Sequence, residues 1–250
     1  TGKYVAFLDC DDLYLPNKLQ SQIQLMDNND YALCYGSAII INEDGKEIRR
    51  VAVKNKSGYR FGMLLKHYEI NMQSVIIRRS ILAEEKINFI THLKYNPDYN
   101  LFMTIASRYQ VGVIKDCIVK YRVWGESLSN KTIDIAASET KFTLDQIVEY
   151  SPILKVKFPN EFIQAYAKVT YYETIAFLIV GNRSKAINTL RPILFVRYEY
   201  FLFFTLFSSL LGFIEALYCF IISNLIGSVG LFEVFVIFND FIFISLEGAI

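Results

Sequence analysis

The sequence predicts an α/β layered domain up to about residue 130, then helices, then an apolar tail. Three observations carry this. In the first half, short β-prone apolar runs alternate with segments of helical rhythm. From Ala136 onward the rhythm is helical alone. After Arg197 the charges thin out and Phe and Leu dominate. No fixed-period repeat is visible, which argues against a solenoid.

Residues 4–9 read as a short strand, and their unbroken apolar character predicts cover on both faces. Asn17–Met26 predicts a helix with Leu19, Ile23 and Leu25 or Met26 toward the core, stopped by Asn28-Asn29-Asp30. Residues 31–35 and 38–41 form a second β-prone run. Glu43-Asp44-Gly45-Lys46 is a turn, and Ile48–Val53 is its returning strand. A short helix begins at Phe61. Asn71–Ile77 is strand-like and leads into a helical piece at Arg78-Arg79-Ser80. Tyr99–Arg108 predicts a helix with Leu101, Phe102 and Ile105 on one side, and Gly112–Tyr121 a strand. Helices follow over Ala136–Tyr150 and Glu161–Val180, the second closed by Gly181 as a C-cap. Another starts at Ser184 and is interrupted by Pro192.

Composition narrows the function classes. A net charge of +1 gives no bulk field to attract nucleic acid. Cys10, Cys34, Cys117 and Cys219 lie far apart without CxxC spacing, so they read as reduced, mostly buried thiols rather than a disulfide or zinc framework. His67 and His92 are too few for a histidine-rich metal site. The apolar fraction of 53% and mean hydropathy of +0.27 are high, and the excess gathers after Arg197.

Chemistry concentrates where the first strand ends. Asp9, Asp11 and Asp12 place three carboxylates within four residues, followed by Pro16 and a helix. Like charges this close repel unless a cation or a hydrogen-bond network offsets them. A divalent metal is one answer, since Mg²⁺ takes carboxylate oxygens and shares them with substrate phosphates. A solvated acidic turn with one aspartate capping the helix is the other. If the chain here is extended, Cys10 points away from its acidic neighbours.

The tail from Tyr198 to Ser223 carries Glu215 within an otherwise nearly uncharged stretch that approaches the ~20 residues needed to span a bilayer. Leu231–Leu246 is a second apolar run, interrupted by Glu233 and Asp240. Lys185, Arg191 and Arg197 precede the first run and favour a cytoplasmic location for the preceding domain. A span, a helix lying in the interface and a helix packed on the domain all satisfy this pattern. The resulting domain expectation is 1–130, 131–197 and 198–250.

Phe7-Leu8-Asp9-Cys10-Asp11-Asp12-Leu13, with Pro16, Lys18-Leu19 and Gln22, resembles the DxD segment of family 2 glycosyltransferases, which commonly reads FLDxDDxxxPxKLxxQ. Ser74-Val75-Ile76-Ile77-Arg78-Arg79 resembles the strand before the acceptor-side helix. Asn96-Pro97-Asp98-Tyr99-Asn100-Leu101 resembles the EDYxL motif. Tyr121-Arg122 with Ser127 and Ser129 resembles the YRxHxxSxS ending. Pro97 stands where the family usually has Glu, and Trp124 where it often has His. The family's opening strands, which hold the nucleotide base, are expected before Gly2, so the sequence reads as the C-terminal part of such an enzyme.

The resemblance implies a GT-A-like, Rossmann-like mixed sheet flanked by helices. It also implies inverting transfer of a sugar from a UDP-, GDP- or dTDP-sugar to an acceptor hydroxyl, with Mn²⁺ or Mg²⁺ as cofactor. Asp11 would hold the metal, Asp9 the metal or the ribose, and Asp12 would orient its neighbours, cap the helix or touch substrate. Asp98 would take the acceptor proton, or simply cap its helix. Arg122 would face the diphosphate or form a surface ion pair, and Trp124 would stack on a sugar or sit in the core. A saccharide or lipid-linked acceptor in bacterial surface polysaccharide synthesis, met at the cytoplasmic face of a membrane, suits the apolar tail. Two alternatives remain: a catalytically incomplete membrane-associated fragment or interaction subunit, and a haloacid-dehalogenase-like phosphatase. The second wants a later acidic pair, and no Asp-Asp follows Asp12.

Overall fold

The computed structural model describes residues 2–84, 86–123 and 133–208. Contacts divide the chain into two units, 1–172 and 173–250. The first unit therefore runs well past residue 130.

Its centre is a six-stranded mixed sheet. The strands are β1 (Tyr4–Ala6), β2 (Leu13–Tyr14), β3 (Leu33–Ile41), β4 (Glu47–Val51), β5 (Ile76–Arg78) and β6 (Val111–Arg122), in spatial order β1-β5-β3-β6-β2 with β4 also paired to β3. β3 and β6 run parallel and the other pairs are antiparallel. All nine residues of β3 are buried, as its near-continuous apolar run requires. Each Leu or Ile removed from water there contributes about 1.5–3 kcal/mol. Gly45, at φ +81°, makes the turn from β3 to β4, a conformation that would strain other residues.

Helices α1 (Lys18–Asp27), α2 (Phe61–Lys66), α3 (Arg79–Glu84) and α4 (Pro97–Arg108) lie between the strands, and α5 (Ile133–Tyr150), α6 (Ile153–Lys157) and α7 (Pro159–Ile179) follow. Pro97 sits at the first turn of α4, where its missing N–H costs nothing. The core joins Leu33, Tyr35, Phe61, Phe102, Leu144 and Phe162 from both the strands and these later helices.

Two expectations about packing are corrected. β1 is an edge strand, with one neighbour and half-exposed side chains, so it is not covered on both faces. In α1 the buried stripe is Lys18, Gln22 and Met26, while Leu19 and Ile23 are 43% and 37% exposed. The reason is a set of backbone carbonyls beneath α1. Gln22 Nε2 donates to the carbonyls of Ser74 (2.8 Å) and Cys34 (3.2 Å). Lys18 Nζ donates to Gln22 Oε1 (2.9 Å), reaches the Val75 carbonyl at 3.5 Å, and lies 4.2 Å from the centre of the Tyr14 ring. Polar side chains are needed there because buried carbonyls left without donors are costly.

In the second unit, α7 ends in a Schellman motif, with Gly181 at φ +74°, the Asn182 N–H on the Phe177 carbonyl and the Gly181 N–H on that of Leu178. Asn182 then caps α8 (Arg183–Leu190) through its side chain, and α9 (Tyr198–Ser208) opens the tail. No helix among the described residues is long and apolar enough to cross a membrane. Glu215, Cys219, the rest of the tail and its second apolar run lie outside the described residues.

Candidate active site

β1 and β2 occupy opposite edges of the sheet, so residues 7–12 cross from one edge to the other. The crossing is not extended. The Asp12 N–H donates to the Asp9 carbonyl at 3.2 Å, closing a turn over Asp9-Cys10-Asp11-Asp12. The expectation that Cys10 alternates away from the acids therefore does not apply, and its side chain is exposed rather than buried.

The turn separates the three acids. Asp9 is exposed, and its Oδ2 accepts from Gln73 Nε2 at 2.6 Å. Asp11 is half-buried. Asp12 is 4% exposed, and its Oδ1 accepts the Arg122 backbone N–H at 2.7 Å. Burial pushes the Asp12 carboxyl up to about 6, against the pull of that N–H and with help from the charges of Asp11 and Asp9. Asp12 thus ties the turn to β6 from inside the fold. It does not cap α1, whose N-cap is Asn17.

Arg122 is also committed inward. Its Nε donates to the Asp11 carbonyl (2.9 Å) and its Nη1 to those of Asn42 (2.9 Å) and Glu43 (2.6 Å). These contacts brace the acidic turn against the β3–β4 turn. Nε and Nη1 are thereby engaged by backbone carbonyls, and the residue is half-buried. Trp124, Ser127 and Ser129 lie outside the described residues.

Asp98 reaches the same place from α4. Phe102, one turn later on the same face, packs its ring 6.0 Å from that of Phe7, and Phe7 lies two residues before Asp9. Burial raises the Asp98 carboxyl above its ordinary value. The N–H groups of Tyr99 and of Asp98 itself oppose the rise, and the charge of Asp9 adds to it. The N-cap of α4 is Asn96, so Asp98 sits inside the first turn rather than at the cap.

Tyr121 joins these acids. Burial raises its phenol, and Asp12, Asp9, Asp11 and Asp98 each raise it further, so the ring lies within the field of all four carboxylates. Neither Tyr121 nor Gln73 stood out in the sequence as a site residue. The Tyr-Arg pair was a signal for the first, and a glutamine before a strand gives none for the second.

Among the described residues no three His, Cys, Asp or Glu side chains converge as a metal cage. Mg²⁺ and Mn²⁺ suit fewer, because they are commonly held by one or two carboxylates together with substrate phosphates. Asp9, exposed on the turn, and the half-buried Asp11 two residues on supply such a pair.

The family model described as "Glycosyl transferase family 2" matches residues 1–84. An uncharacterized glycosyltransferase of Rickettsia bellii is 31% identical over 127 residues, which cover 51% of this chain and 18% of that protein. The Escherichia coli UDP-Glc:alpha-D-GlcNAc-diphosphoundecaprenol beta-1,3-glucosyltransferase WfgD is 30% identical, covering 52% of this chain and 49% of its own length. The Erwinia amylovora amylovoran biosynthesis glycosyltransferase AmsE is 29% identical, with 52% and 48% covered. This chain therefore spans half or less of these relatives. Among solved structures, S. aureus TarS 1–349 in complex with UDP-GlcNAc aligns at 15% identity and a TM-score of 0.41, over 76% of this chain and 66% of that one. The segment that carries the acidic turn, residues 1–84, is thus similar to glycosyl transferase family 2.

Proposed function

We propose that this chain carries the diphosphate-holding and acceptor-activating part of an inverting glycosyltransferase that moves a sugar from a nucleotide-diphosphate donor to an acceptor hydroxyl. The observation that carries this reading is the approach of Asp98, on α4, to Asp9 on the acidic turn. One carboxylate then stands at the donor's leaving group and another, its proton affinity raised by burial, stands ready for the acceptor.

Asp9 and Asp11 would hold Mn²⁺ or Mg²⁺, which when bound neutralises the departing diphosphate. The protein groups divide the remaining work. Gln73 orients Asp9. Asp12 and Arg122 fix the turn to β6 and to the β3–β4 turn. Asp98 accepts the proton of the attacking hydroxyl, and Tyr121 stands within the field of all four carboxylates. The donor and acceptor named for WfgD, together with AmsE's role in amylovoran biosynthesis, support a nucleotide-sugar donor and a lipid-linked saccharide acceptor. The proposed site of reaction is the cytoplasmic face of a membrane, a reading supported by Lys185, Arg191 and Arg197 before the apolar tail.

The test is a donor panel of UDP-glucose, UDP-GlcNAc, GDP-mannose and dTDP-glucose, with a GlcNAc-diphospholipid acceptor and Mn²⁺, on the full-length protein. Transfer from one donor with inversion at the anomeric carbon is expected. Failure of every donor, with turnover of p-nitrophenyl phosphate instead, contradicts the reading.

A further inference from the structure

Glu139 lies on α5, outside the segment the family model matches. It is 8% exposed, yet no basic side chain pairs with it in the hydrogen bonds of the described residues. Its Oε1 accepts the backbone N–H of Lys94 at 2.6 Å, and its Oε2 accepts those of Tyr95 at 2.8 Å and Asn96 at 3.1 Å. A buried carboxylate satisfied by three backbone N–H groups is a strong and directional restraint. The three donors are the last residues before α4, whose second residue is Asp98.

The same face of α5 holds the helix start in two further places. Thr140 Oγ1 accepts from Asn96 Nδ2 at 3.0 Å. Thr143 Oγ1 and Gln146 Oε1 accept from Asn100 Nδ2 at 3.0 and 2.9 Å. Residues 139, 140, 143 and 146 thus grip the chain on both sides of Asp98. The Asn96 side chain does not cap α4, and Pro97 has neither an N–H nor the carboxylate found at that position in the motif it resembles. Only a glutamate has both the reach and the two acceptor oxygens for this arrangement: Asp is shorter, and Gln replaces one acceptor with a donor.

We propose that Glu139 is a positioning residue for Asp98, setting where α4 begins and so aiming the Asp98 carboxylate at the acceptor. The proposal rests on the reading of Asp98 as the base. A displacement of about 1 Å at a reacting group can cost on the order of a hundredfold in rate.

The experiment compares Asp98→Asn, Glu139→Gln, Thr140→Val and the double variant Asp98→Asn/Glu139→Gln in the full-length protein, using the panel donor that transfers fastest. Glu139→Gln is expected to lower kcat roughly 10- to 100-fold with donor KM within about twofold. It should add no further loss to Asp98→Asn. Thr140→Val, which is nearly isosteric, should show the same split at roughly three- to tenfold and decides the matter if Glu139→Gln does not fold. Wild-type kcat in Glu139→Gln beside an inactive Asp98→Asn overturns the positioning role and leaves the proposed function standing. An equal loss from Glu139→Gln in both backgrounds overturns it too, since Glu139 would then act on the whole site. An active Asp98→Asn overturns the base assignment and the positioning role with it.

Discussion

The side-chain amide of Gln73 donates to Oδ2 of Asp9 at 2.6 Å, and Gln73 is itself buried. The bond joins the 3-10 turn Met72–Ser74, which leads into β5, to the first acid of the crossing turn. Gln73 therefore fixes an exposed carboxylate that would otherwise rotate freely near two like charges. Gln73→Met should weaken UDP binding in the presence of Mn²⁺ by about tenfold, the loss of one hydrogen bond to a charged group. Gln73→Glu should weaken it more, because it sets a fourth carboxylate against Asp9. Titration calorimetry on the full-length protein measures both.

Asp12 separates structure from chemistry. Asp12→Ala leaves the Arg122 N–H without its acceptor and should cost about 1–3 kcal/mol of stability. Asp12→Asn retains the acceptor and removes the buried charge, so its stability should equal or exceed that of the wild type. Urea unfolding of the two variants at pH 7 checks this. A harmless Asp12→Ala would show that the tie to β6 contributes little.

Lys18 gives a pH signature. It is fully buried, and burial pulls its amine down to about 8 from an ordinary 10.5. Between those values the unfolded chain holds a proton that the folded one has released, so stability rises with pH in this window. Below pH 8 both states are protonated and the contribution is flat. The stability of the wild type relative to Lys18→Met should therefore grow by about 1–2 kcal/mol from pH 7 to 9.5. A difference independent of pH would contradict a buried, destabilised ammonium.

Much of this fold was legible because periodicity and punctuation agree. The Gly45 turn, the Gly181 cap and the buried β3 run each carry a local cause visible in the sequence. The face of α1 was not legible. Hydrophobicity points to Leu19 and Ile23, but the carbonyls of Ser74, Cys34 and Val75 that select Lys18 and Gln22 come from distant segments. The same contrast divides the site. The resemblance singled out Asp9, Asp11 and Asp98, and the structure brings Asp98 near Asp9. The inward commitment of Asp12 and Arg122, and the contacts of Gln73 and Glu139, depend on partners many tens of residues away. Motif resemblance marks the residues, and tertiary hydrogen bonds show which of them brace the turn.

The most direct measurement is the turnover of Asp98→Asn at saturating donor, taken together with its affinity for UDP. Loss of a general base predicts a fall in kcat of about 10²–10⁴-fold, with UDP affinity within about twofold of the wild type. Turnover within a few-fold of the wild type, with UDP binding intact, would contradict the account by showing that the acid beside Asp9 takes no proton from the acceptor.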